Sequence, residues 1–180
     1  PIAYADGKVT LTVPAEWLVQ AAFPISIDPL IGTNFTIDSA IIDTYFKIQD
    51  VVWNSTNSEY VVVWNEAFTT DANGAPKDFD VLVKRYNASG TAIGSYFYAD
   101  SSSTTDAAAP QAAYASAGNK ILIAWQEKDS STANWQVRGR VLNGGSTTFG
   151  TELTINPTAS GVDHLSPDVA FDGTNWLVVY

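Results

Sequence analysis

Glu66 and Glu127 each stand two residues after a tryptophan, Trp64 and Trp125, and a pair of carboxylates is the machinery that cleaves glycosidic bonds. Their recurrence at equivalent places argues for another role. A catalytic group acts at one site, whereas a residue present in every copy of a repeat serves the copy itself, here by pairing with a basic strand. Lys84, Arg85, Arg138 and Arg140 supply four of the nine positive charges. They read as cross-strand ion pairs whose stems cover aromatic rings, with anionic glycans as the alternative ligand. The segment from Asp71 to Asp80 gathers Asp71, Asn73, Asp78 and Asp80 around Gly74, the oxygen-rich mix that calcium takes. Gly74 comes too early for an EF-hand loop, so the reading is a solvated hairpin loop, with calcium at these four residues as the alternative. No other cofactor is expected. His164 lies beside Asp163 and Ser166, but neighbours on a loop do not reach triad geometry and no G-x-S-x-G elbow is present. The residues predict no enzyme.

The positions that would present these groups are set by the whole composition. Nine Lys and Arg against nineteen Asp and Glu give a net charge of −10 over 180 residues, with no Cys and one His. Such a field repels phosphate backbones and anionic bilayers, so nucleic-acid binding is excluded as an expectation. Membrane insertion is excluded too, because no apolar run is long enough to span. Without Cys there is no disulfide framework and no thiolate chemistry. The hydrophobic share of 46% against 16% charged residues, with Ser, Thr, Asn and Gly filling the rest, is that of a folded β protein with polar loops.

Repeats organise the chain. QDVVWNSTNSEYVVVWNE from Gln49 lies over PQAAYASAGNKILIAWQE from Pro110, which aligns Trp53 with Tyr114, Trp64 with Trp125 and Glu66 with Glu127; a third copy, PDVAFDGTNWLVVY, starts at Pro167. Between them IGTNFTID, IGSYFYAD and FGTELTIN recur, and VLVKRYNASG over QVRGRVLNGG sets Arg85 on Arg140. The common period is roughly 60 residues. Each period predicts four short strands rich in Val, Ile, Thr, Trp and Tyr, and PAEWLVQAA alone reads as a short helical turn. The second strand of each copy is continuously apolar, so it is expected to be covered on both faces, while the third alternates and carries charge. The fold class is therefore all-β: four-stranded antiparallel units, β-propeller-like and incomplete within the chain.

The PDVAFDGTNWLVVY and NASGTAIGSYF segments resemble the propeller-type repeats of bacterial secreted and surface proteins, over about residues 31–180. The segment YADGKVTLTVPAEWLVQAAFPISIDP is similar to the closing segment of β-rich domains in large bacterial surface and YD-repeat-type proteins. These resemblances imply an extracellular or cell-surface setting and a domain junction. Residues 1–30 would then end an upstream β domain or form a strand appendage, and 31–180 would be the array, with copies at about 49–109, 110–166 and a partial one at 167–180.

Two copies and a fragment do not close a ring of about four to eight blades. Either the parent is longer, or chains complete one another by strand addition. The expected partners are thus other β domains or identical chains, and the expected role is a structural and adhesive module. The alternative is a lectin-like module: Trp135, Phe79, Tyr96 and Tyr98 are the aromatics expected to be exposed for sugar stacking, whereas Trp53 and Tyr114 recur at a place suited to the core. Asn34, Asn54 and Asn87 begin glycosylation sequons, which matter only in a glycosylating host.

Overall fold

The computed structural model describes residues 2–5, 8–11, 49–102, 105–128, 134–156 and 161–180. The chain divides into two compact units, Pro1–Asn34 and Phe35–Tyr180. In the first, β1 (Ile2–Ala5) pairs antiparallel with β2 (Lys8–Leu11), from Ile2 opposite Leu11 to Ala5 opposite Lys8. Asp6-Gly7 separates them in sequence, the pair that most strongly signals a two-residue hairpin. The helical turn expected in PAEWLVQAA, the IGTNFTID strand and the Asn34 sequon lie outside the described residues.

The second unit is all-β among its described residues. Strands β3 (Gln49–Asn54), β4 (Glu59–Thr70), β5 (Pro76–Asn87) and β6 (Phe97–Asp100) form one antiparallel sheet in chain order. Strands β7 (Asp106–Ala115), β8 (Lys120–Lys128), β9 (Trp135–Asn143) and β10 (Leu153–Thr154) form a second, and β11 (Asp168–Phe171) with β12 (Trp176–Val179) a third. Among the described residues no helix is long and apolar enough to cross a membrane.

Alternation along β4 explains how the sheets stack. Val61 and Val63 point one way, into a core shared with Val81, Val83, Ala99, Ala107, Ile121, Ile123, Trp125 and Leu142. Those residues come from both four-stranded sheets, so the first sheet lies face to face on the second, with β7 against β3, β4 and β5. Val62 and Trp64 point the other way and pack with Leu82, Tyr86 and Phe68. A strand buried on both faces has no polar side to show, which is why β4 and β8 read as continuous apolar runs. The third sheet follows the second, β11 packing on β7 and β8.

Three expectations change at the level of elements. Strand β7 starts at Asp106, ahead of the predicted QAAYAS, and its register slips between Ala108 and Gln111, where Ala109 takes φ +51°. A bulge lets the strand run on past the slip. FGTELTIN yields only the short β10 and a bridge between Leu142 and Phe149. In β12 the apolar run is covered on one face only: Trp176 and Val178 are half-buried, while Leu177 is 65% and Val179 53% exposed, because no described strand packs beyond it.

Candidate functional site

The tightest polar constellation ties the turn ends of the two large sheets together. Glu59, at the start of β4, is 1% exposed, and its Oε2 accepts hydrogen bonds from Arg85 Nε at 2.8 Å and Nη2 at 2.6 Å. Its other oxygen accepts from Asn54 Nδ2 and from the Gly145 backbone N–H at 3.0 Å, in the second sheet. Alongside, Asn119 Nδ2 donates to Asn57 Oδ1 at 2.7 Å and the Gly144 N–H to the Asn119 carbonyl. Gly145 sits at φ +76°, and a Cβ on Gly144 would land on the Asn119 side-chain amide. Every oxygen of this buried carboxylate is satisfied, which makes it a joint.

Arg85 thus meets Glu59, at the opposite end of β4 from Glu66. Glu66 stands opposite Asp80 in the strand register, and its Oε2 accepts from the Trp64 indole at 3.4 Å. Trp125 donates likewise to Glu127 Oε2 at 3.2 Å. The Trp-x-Glu motif is an indole-to-carboxylate bond along one strand in both sheets, and the basic third strand approaches Glu127 through Arg138 Nε at 3.7 Å. Arg140, aligned with Arg85 in sequence, lies 3.6 Å from Glu152, beyond hydrogen-bond length.

A second constellation lies where the two sheets face each other. Asp100 ends β6, Glu127 is on β8, and Glu152 directly precedes β10; one carboxylate oxygen from each lies within 4.8 Å of the others. Asp100 is 5% exposed, and its Oδ2 has no hydrogen-bond partner. Burial raises its pKa, against hydrogen bonds from the Ser102 and Ser101 backbone. Burial also raises Glu127, opposed by the Trp125 indole. Neighbouring Asp80 is pushed up to about 7, first by burial and then by Asp100 and Asp78.

The residues expected to bind calcium do not gather. Asp71 closes an Asx turn at the tip of the β4–β5 hairpin: its Oδ1 accepts the N–H groups of Asn73 at 2.8 Å and Ala75 at 2.9 Å, which hold its carboxyl below the usual range. Asn73 is exposed beside it. Asp78, at φ +61°, gives its N–H to Asp106 Oδ1, and Asp80 is buried toward Asp100.

Of the aromatics expected on the surface, Tyr96 and Tyr98 are exposed and meet edge to face at 5.8 Å, with Phe68 5.9 Å from Tyr98. Desolvation, the Tyr96 hydrogen bond and the charges of Asp80 and Glu66 push the Tyr98 hydroxyl up to about 12. Phe79 and Trp135 are half-buried, with the Trp135 backbone N–H held by Asp163 Oδ1 at 2.9 Å. That bond, and the His164 N–H to the Trp135 carbonyl, fasten the 161–167 segment to β9. Tyr114 bonds Thr56 across the sheets, but Trp53 stays exposed, its ring tilted 55° against Tyr60 at 4.7 Å.

Reasoning from sequence passed over Glu59, Asp100 and Glu152. Glu59 carried a usable signal, since a charge opens an apolar strand whose neighbour holds a recurring Arg, Glu59 standing opposite Asn87 and Arg85 opposite Val61. Asp100 and Glu152 carried little, because they meet Glu127 only once the two sheets stack. No protein-family profile and no curated protein matches the chain.

Proposed function

We propose that this chain is a non-catalytic structural and adhesive module whose β sheets stack in propeller-like fashion and continue that stacking onto an identical chain. The observation that carries it is the pair of apolar outer faces. At one end of the stack, β12 exposes Leu177 and Val179 and, among the described residues, has a free strand edge. At the other, the first sheet exposes Val51, 57% accessible, with Trp53 and Tyr60. These are the residue types that the inner faces already bury against each other. Two different faces that fit make a head-to-tail contact, which grows into a ring or a filament. Attachment to β domains of a larger surface protein would use the same faces, and the extracellular setting rests on the sequence resemblance. Sedimentation velocity on the 180-residue chain tests this. Concentration-dependent association, abolished by Leu177→Lys with Val179→Lys, is the expected result; a monomer at every concentration overturns it.

One observation favours a second reading, a glycan-binding surface. The exposed Tyr96–Tyr98 pair lies near the carboxylates of Asp80 and Glu66, and rings beside polar acceptors suit the apolar face and hydroxyls of a sugar. Binding on a glycan array, lost in Tyr96→Ala, would support it; an array without signal removes it.

A further inference from the structure

Asp100, Glu127 and Glu152 come from two sheets and converge where those sheets face each other. Three acidic groups brought together by stacking repel one another, and the fold must offset that repulsion. Two arginines are near, but they stop short: Arg138 Nε is 3.7 Å from Glu127 and Arg140 Nη2 is 3.6 Å from Glu152. The Nε atoms of both arginines are buried without a hydrogen-bond partner. Each neutralises charge at a distance without supplying a donor to these carboxylates.

The independent observation is Asp100 itself. Its side chain is almost wholly buried and belongs to the trio, yet Oδ2 has no partner. Buried polar atoms are almost always satisfied, and an orphaned oxygen on a buried carboxyl grouped with two more carboxylates is a place where a positive ligand would supply the missing partner.

From this geometry we infer that Asp100, Glu127 and Glu152 bind one divalent cation of the hard, oxygen-preferring kind, calcium above magnesium, which clamps the first large sheet to the second. Coordination habit selects the ion. Calcium takes six to eight oxygens at about 2.3–2.6 Å in flexible geometry. One oxygen from each residue lies within 4.8 Å of the others, close enough for all three to share one ion, and an irregular set of three from two sheets suits calcium's flexible shell better than magnesium's near-ideal octahedron at about 2.1 Å. Three carboxylates leave room for the water or carbonyl oxygens that complete six to eight ligands. The clamp is separate from self-association through β12 and stands or falls alone.

Terbium(III), which replaces calcium and emits when a nearby indole is excited, gives a direct readout, because Trp125 donates to one of the ligands. The expected result is saturable luminescence on tryptophan excitation, one ion per chain, displaced by calcium more readily than by magnesium. Asp100→Asn and Glu152→Gln should each weaken binding by about tenfold or more, with Asp71→Asn unchanged. Calcium in hundredfold excess over its Kd should raise the melting midpoint by roughly 5–10 °C. Asp100 is buried and its variant can lose the fold; Glu152, more open to solvent, then decides. Absence of saturable binding at millimolar ion overturns the inference, as does binding that survives Glu152→Gln but disappears in Asp71→Asn.

Discussion

Glu59 shows what a single buried charge does in this protein. Arg85 holds one of its oxygens twice, while Asn54 and Gly145 hold the other. Removing the guanidinium leaves a desolvated carboxylate without its counter-ion, which costs about 3–5 kcal/mol in comparable pairs. Arg85→Leu is therefore expected to lower the unfolding free energy by about 3 kcal/mol or more in a urea titration. Glu59→Gln, which keeps an acceptor for the Gly145 N–H, should cost less than Arg85→Leu. Asp80 acts in the opposite sense. Its carboxyl ordinarily titrates at 3.8 and in the fold at about 7, so the folded state binds the proton more tightly than the unfolded chain. Its stabilising contribution is full below about pH 4 and is lost as pH rises through about 7. In the presence of a chelator, the melting midpoint should rise on acidification from about pH 8 to about pH 5, and Asp80→Asn should flatten that slope.

Among the elements, the turn after β9 matters most, because its two glycines bring backbone to within reach of the other sheet. A methyl on Gly144 would displace the Asn119 amide and with it the bond to Asn57. Gly144→Ala is expected to destabilise by about 1–3 kcal/mol and to speed amide exchange at Gly145, read by hydrogen-exchange mass spectrometry. The strands themselves were legible. The apolar runs from Tyr60 and Ile121 and the alternation of β5 and β9 follow from local side-chain period, which sheet packing then used. Three features were not: the slip at Ala108–Gln111, the shrinking of FGTELTIN to β10, and the bare face of β12. A bulge depends on what the neighbouring strand needs, and coverage depends on which surface arrives from elsewhere. Neither is written in the period of the strand concerned.

Over the whole molecule, the sites followed the same division. The sequence predicts that Glu66 and Glu127 pair with the basic third strand; in the fold each accepts the indole two residues back, a local contact, and Arg138 stands 3.7 Å from Glu127. For Asp71 the sequence left a solvated loop and calcium side by side, and in the fold its Oδ1 closes a backbone turn at the hairpin tip. The convergence of Asp100 with Glu127 and Glu152 needs two sheets in place, and so does the division of apolar surface between the two ends of the stack. If that division drives association, Val51→Lys at the opposite end should weaken it as Leu177→Lys does. Mixing the two variants should give assemblies no longer than dimers, a distinction that light scattering resolves.

Every described strand pairing joins neighbours in the chain, and no strand is shared between sheets. A sheet can therefore be gained or lost by duplicating or deleting one continuous stretch of gene, with no hydrogen-bonded ladder cut in the process. Only the facing side chains and the turn contacts must be matched again. Such a fold can lengthen by whole sheets while each keeps its own internal pattern.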